Sequence, residues 1–160
     1  MSTRAMLPIL ATLWLGSAVA ADFDAGMAAY RAGDYQQAHD QWLPLAEAGS
    51  AHAQFNLGLL YRYAKGREAD PQQAAEWFLA AAESGLAAAQ YELAEIYEAG
   101  EGIERDVVEA HKWFKLAGEQ KYDDAKKRRK RLASRMTSSE IALAEMWARE
   151  WKKTQKARAD

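Results

Sequence analysis

Large apolar residues recur along this chain at helical spacing, not in the alternation of a strand. Ala74, Trp77, Phe78 and Ala81 make one stripe, with Gln72, Glu76 and Glu83 on the opposite side, and Ala110, Trp113, Phe114 and Ala117 repeat it. The offset between the two stripes is 36 residues, and other pairs share it. Gln37 falls on Gln73, Ala46 on Ala82, Gly49 on Gly85, Gln54 on Gln90, Leu57 on Leu93, Leu60 on Ile96 and Tyr61 on Tyr97. A period of this length marks a stack of helical hairpins in which each unit buries its apolar face on the next.

Polar punctuation sets the expected element ends. Asp34, Asp70 and Asp106 recur at the same period, each followed three positions later by Gln37, Gln73 or Glu109, which predicts an acidic variant of the capping box at the start of each second helix. Pro71 sits at a first helical position, where its missing N–H is not needed. First helices are expected at about 51–63 and 87–98, with Ala53, Gly58, Ala89 and Ala94 keeping the side chains small where helices approach, and Gly66, Gly100 and Gly102 in the turns. Residues 122–136 overlay a first helix, with Ala125 on Ala89 and Leu132 on Ile96. Arg129 and Lys130 stand at its packing positions, so the stack is being closed. Thr137 to Glu140 then reads as a capping box opening a last helix through about Lys153, with Ile141, Leu143, Ala144, Trp147, Ala148 and Trp151 as its buried stripe. Residues 154–160 are expected to fray. Trp42, Trp77 and Trp113 are assigned to the core.

These residues carry a family resemblance. Ala53-Gln54, Leu57-Gly58, Leu60-Tyr61, Asp70, Ala74, Trp77-Phe78 and Ala81-Ala82 resemble the pattern of Sel-one-like repeats (SLR), relatives of the tetratricopeptide repeat (TPR). The second copy has Ala64 in place of the first turn glycine, and the third departs at Ala94 and Gly118. The segment 21–50 is more similar to a tetratricopeptide unit, through Gly26, Tyr30, Gly33-Asp34-Tyr35, Ala38 and Trp42. The resemblance implies an all-α fold, a right-handed TPR/SLR-like α-solenoid of helical hairpins closed by a C-terminal capping helix. Its units would be 21–50, 51–86, 87–121 and a partial repeat with the cap at 122–153.

Residues 1–20 differ from the rest. One positive charge precedes an uncharged stretch, 5–20, that ends in Ala18-Val19-Ala20, the pattern of a cleaved secretory signal peptide. Sixteen residues broken by Pro8 and Gly16 fall short of the roughly 20 that a spanning helix needs. The expectation is an exported protein starting near Ala21, with no transmembrane segment in the mature chain, periplasmic in a Gram-negative source and otherwise secreted.

Composition narrows the chemistry. The chain has no cysteine, which removes disulfides, thiol nucleophiles and thiolate metal sites. His39, His52 and His111 are not spaced to share a metal or to serve a serine nucleophile, so no metal, no cofactor and no enzyme activity are expected. Glu92, Glu95 and Glu98 make a ridge on one helix, read as a solvated acidic face, with a hydrolase as a remote third reading. Charge is unevenly spread: 7 Lys+Arg against 17 Asp+Glu over 21–120, a net of −10, and 13 against 6 over 121–160, a net of +7. The densest run is a basic patch, Lys126, Lys127, Arg128, Arg129, Lys130 and Arg131. No aromatic residue interleaves it, so nucleic acid is not expected as a partner.

In tetratricopeptide-like stacks the first helices line a concave groove for a partner segment, and the resemblance implies the same here. By register the candidate groove holds Tyr30, Arg31, His52, Phe55, Leu59, Arg62, Tyr63, Tyr91, Glu95 and Glu98, with Phe23 and Met27 at its start. The function this suggests is an exported protein-interaction scaffold of the cell envelope. The alternative is contact with an envelope polymer or an anionic membrane surface through 126–131.

Overall fold

A computed structural model describes residues 21–66 and 68–160, so the expected leader at 1–20 lies outside the described residues. Eight helices follow one another: α1 (Phe23–Arg31), α2 (Tyr35–Glu47), α3 (Ala51–Arg62), α4 (Pro71–Glu83), α5 (Ala87–Ala99), α6 (Val107–Glu119), α7 (Asp123–Ala133) and α8 (Ser138–Ala159). The described residues contain no strand. Each helix from α1 to α6 packs on the next, which is the stacking of hairpins that the 36-residue period predicts.

The aspartates start the second helices as expected. The side chains of Asp34 and Asp70 accept from the backbone N–H of Gln37 and Gln73, and Asp106 accepts from Val108 and Glu109. The reciprocal arm of a capping box forms only at Thr137 and Glu140, so the three aspartates are simple N-caps. Close approach within a hairpin rests on small residues. A Cβ on Gly58 would lie 2.7 Å from the Phe78 ring, so only glycine lets α3 meet α4 there.

Successive repeats are joined by a buried amide. Gln54 Nε2 donates to the Ala46 carbonyl at 3.0 Å, and one period later Gln90 Nε2 donates to Ala82 at 3.2 Å. Each amide thereby adds a second donor to a carbonyl in the last turn of the preceding second helix, which also accepts from the N–H of the turn glycine, Gly49 or Gly85. Gln120 Nε2 donates to Gln90 Oε1 at 2.9 Å, whereas Gln54 Oε1 is buried without a partner.

The core falls into two clusters. Trp42, Leu57 and Leu60 centre the first, and Phe78, Leu93, Ile96, Trp113 and Phe114 the second. Trp42 and Trp113 are buried as expected, but Trp77 is only half-buried. It lies on the flank of the first cluster because Ala74, Ala75, Phe78, Ala81 and Ala82 already fill the inward side of α4.

The closing segment departs from the repeat. α7 follows α6 as a first helix should, but α8 packs on α6 and leaves α7 uncovered. Ala144, Ala148 and Trp151 are its inward stripe, with Trp151 edge-on to Trp113 at 5.8 Å. Leu143 is exposed, and Ile141 and Trp147 are half-buried, so the expected stripe is narrower than the sequence suggests. α8 also continues to Ala159, where the sequence reading expects fraying after Thr154. Lys153 pairs with Glu150 and Thr154 Oγ1 donates to the Glu150 carbonyl, both of which support the added turns.

Candidate functional site

The first helices α1, α3, α5 and α7 present their side chains to one another along one face. Where a residue on one first helix meets the next, the step is 30 to 33 residues: Arg62 reaches Glu92 and Glu95, and Arg128 meets Glu95 and Glu98. This arithmetic divides the face into two halves of different chemistry.

The C-terminal half is an ion lattice. Arg62 of α3, 14% exposed, makes a short ion pair with Glu92, lies 3.5 Å from Glu95, and pairs with Glu101 at 3.2 Å. Glu95 is shared, with Arg128 of α7 at 3.2 Å and the Tyr91 hydroxyl donating to it at 3.0 Å. Glu98 takes Arg128 at 2.8 Å and Arg135 at 2.6 Å. The acidic ridge of α5 is therefore not a solvated face. Glu92 and Glu98 are each 16% exposed, and each of the three ridge carboxylates is engaged by a guanidinium. A ridge of unpaired carboxylates on a half-buried face would be costly, so the helices on either side supply the arginines.

Environment sets the titration of these groups. Burial pushes the Glu92 carboxyl up, and Glu95 and Glu101 add to it, so that Arg62 only partly offsets the rise. Burial also acts to raise Glu98, but the Arg128 and Arg135 guanidiniums outweigh it and hold that carboxyl below the usual range. Tyr91 is pushed up to about 12 by burial and by its bond to Glu95.

The N-terminal half is apolar. Met27 and Tyr30 of α1, Trp42 of α2, and Asn56 and Leu59 of α3 line a recess of about 170 Å³. Tyr63, 53% exposed, caps the end of α3 one turn on from Leu59, at the border with the lattice: the Arg62 guanidinium is 5.6 Å from its ring centre, and burial and Glu92 push its hydroxyl pKa up. Asn56 Nδ2 meets Met27 Sδ at 3.5 Å across the floor.

The structure distributes the remaining groove residues between packing and solvent. Phe55 packs on Phe78 with ring centres 5.7 Å apart, and Tyr91 packs on Phe114 and Tyr122 at 5.5 and 5.0 Å. His52 and Arg31 are exposed, and Phe23 lies 6.3 Å from the His52 ring. Tyr30 and Leu59 are brought together at the recess, Tyr63 stands one turn from Leu59, and Arg62, Glu95 and Glu98 belong to the lattice.

The basic run does not form one patch. Arg128 turns into the lattice, Arg129 lies 3.8 Å from Glu145 of α8, and Lys126 and Lys127 pair with Asp123 and Asp124 on their own helix. Lys130 and Arg131 are exposed and have no ion-pair partner among the described residues. A helix turns 100° per residue, so six consecutive cations cannot share a side.

The histidines are equally dispersed. His39 contacts Asp40 and the Tyr61 hydroxyl, and His111 is buried with Nδ1 unpartnered. Among the described residues no group of three or more His, Asp or Glu is placed to hold a metal ion, and no described helix is long and apolar enough to cross a membrane.

Comparison with known proteins agrees with this architecture. The Sel1 repeat family model matches residues 51–86 and 87–122. A crystal structure of a Sel1 repeat protein from Oxalobacter formigenes is 33% identical, with a TM-score of 0.62, and the match covers 68% of this chain and 84% of that one. The chain belongs to the Sel1 repeat family. A protective antigen of uropathogenic Escherichia coli strains, which displays an SLR fold, is also 33% identical, with a TM-score of 0.77. That match covers 81% of this chain but only 29% of the antigen. No curated protein matches the chain. Sel1 repeat proteins generally mediate protein–protein interaction and are typically non-catalytic scaffolds.

Several of these features lie beyond the sequence reading. Arg135 and Glu101 were not singled out as members of the lattice, nor Asn56 as part of the recess. The signal that reveals the lattice is the opposite charge of residues 30 to 33 apart on successive first helices.

Proposed function

We propose that this Sel1 repeat protein is an exported scaffold of the cell envelope that captures a segment of a partner protein on its first-helix face. One observation carries the reading: the N-terminal half of that face holds an apolar recess, with the exposed ring of Tyr63 one helical turn on from its Leu59, while the C-terminal half is closed by ion pairs within the chain. A large, partly exposed aromatic next to an apolar pocket is the arrangement that anchors interfaces. A partner segment would seat an apolar side chain between Tyr30, Asn56 and Leu59 and cover Tyr63. Export rests on the leader-like residues 1–20.

Expression of the full chain in a Gram-negative host tests the location. A purified protein beginning near Ala21 in the periplasmic fraction is expected, and retention of residues 1–20 in the cytoplasm contradicts it. Capture from envelope extract tests the surface, comparing the unaltered protein with Asn56→Lys and Tyr63→Glu, folding being checked by circular dichroism. A defined protein held by the former and lost from both variants is expected; equal retention by all three would remove the recess from the account. Contact of residues 126–131 with an anionic polymer or headgroup is the second reading, favoured only by Lys130 and Arg131, which are exposed and have no ion-pair partner among the described residues.

A further inference from the structure

In the two complete repeats, each first helix is covered by the second helix of its own hairpin, α3 by α4 and α5 by α6. α7 is a first helix by register and by its buried Ala125 and Leu132, yet α8 swings onto α6 and leaves its outer flank bare. The residues at the positions that meet a second helix differ in kind. Where α5 has Leu93 and Ala94, both buried, α7 has Arg129 and Lys130. An apolar helix cannot settle on such a flank, because it would strip water from two cations without replacing it.

Beside this flank is an open cleft of about 320 Å³ between α6 and α7, with Lys115, Lys121, Lys126 and Arg129 on its walls against the single carboxylate of Glu119. Glu145 of α8 compensates Lys115 at 2.9 Å and Arg129 at 3.8 Å, and Asp123 compensates Lys126 at 3.0 Å. Lys121 on the cleft wall, and Lys130 next to Arg129 on the flank, have no carboxylate partner among the described residues. The uncompensated cations thus stand at the two ends of α7: Lys121 precedes its first residue, Asp123, and Lys130 lies in its last turn.

We propose that this cleft and the bare flank of α7 dock an acidic helical segment of a partner protein, taking the place that the second helix of a hairpin occupies in the preceding repeats. The proposal rests on the reading of the chain as a partner-binding scaffold and adds a second surface with its own chemistry. The shape favours a helix over a membrane: Lys115 and Arg129 lie back in a recess between helices, which a planar headgroup layer does not enter. A carboxylate on a helix reaches such a recess, and carboxylates spaced along one face can meet Lys121 at one end of α7 and Lys130 at the other.

Fluorescence anisotropy with the mature chain tests it, using as probe a labelled helical peptide of about four turns with glutamates along one face, and the same peptide with glutamines as control. The glutamate peptide is expected to bind and to weaken about tenfold with Lys121→Glu/Lys130→Glu, and with rising salt. Both residues are exposed and without a carboxylate partner among the described residues, so the fold should survive; Lys130→Gln, which adds no charge of the opposite sign, gives a second and smaller loss. Equal binding of the glutamine peptide, or indifference to these changes, overturns the proposal. So does retention of phosphatidylglycerol vesicles or a soluble polyuronate by the unaltered protein, lost in the double variant, when the peptide does not bind. Tyr63→Glu should leave peptide binding intact. If the peptide fails while partner capture still depends on Tyr63, only the second surface is lost, and the scaffold reading stands.

Discussion

At the residue scale, two positions carry backbone strain that the repeat itself identifies. Ala64 and Lys121 adopt φ of 53° and 68°, and the residues one period away, Gly100 and Gly85, adopt φ of 78° and 88°. A residue with a Cβ is disfavoured there by about 1 kcal/mol or somewhat more. Ala64→Gly and Lys121→Gly are each expected to raise stability by about 1 kcal/mol in urea unfolding; an unchanged midpoint in both would show that the strain is absent. His111 makes a second prediction. Burial lowers its pKa, with Arg129 and Lys115 adding to the effect and Glu145 of α8 opposing it. The unfolded chain therefore binds the proton more readily, so stability is full above the ordinary value near 6.5 and falls as pH drops below it. Thermal unfolding between pH 8 and 5 should show this decline, and His111→Leu should remove it. The carboxylates Glu98 and Glu119, held low by their cationic partners, lose their contribution in a separate window below the usual carboxylate value. The turn departure at Ala64 was legible as a mismatch to the family pattern. The burial of His111 was not, because it depends on α8 leaning onto α6.

At the element scale, the stack is held by apolar stripes and by one polar joint per repeat. The joint makes a graded prediction. Gln90 donates to Ala82 and accepts from Gln120, whereas Gln54 donates to Ala46 with its oxygen unpaired. Gln90→Leu takes a partner from two groups, the Ala82 carbonyl and the Gln120 amide, and is expected to cost about 1–3 kcal/mol, while Gln54→Leu also removes a buried unpaired oxygen and should cost less. Chemical unfolding of both variants checks the order, and a larger loss at Gln54 would contradict it. Helix ends, N-caps and the period itself were legible, because aspartate, proline and small residues act locally and recur at 36. The closing segment was less so. Register places α7 correctly, yet nothing in the composition of α8 fixes which helix it packs on, and that choice leaves Leu143 and Met146 exposed and opens the flank of α7.

At the scale of the whole molecule, the uneven charge counted along the sequence is partly resolved within the fold. Acidic α5 lies between Arg62 on one side and Arg128 and Arg135 on the other, so cations from both ends neutralise the middle. Arg128→Gln leaves Glu95 and Glu98 with fewer partners on a half-buried face and should destabilise by about 1–3 kcal/mol, with Glu98 titrating closer to its ordinary value. Carbon-detected NMR of the carboxyl reads that shift directly. The candidate groove was legible as a set of residues on the first helices but not as two halves, since pairing across helices 30 to 33 residues apart is a property of the stack. The central claim is that partner contact falls on the apolar half and not on the lattice. Photo-crosslinking from a benzophenone side chain placed singly at positions 56, 63, 95 and 83 in the exported protein tests it most directly. Adducts with one defined protein from 56 and 63, and none from 95 or 83, are the predicted result; adducts from 95 in place of 56 and 63 would contradict the account.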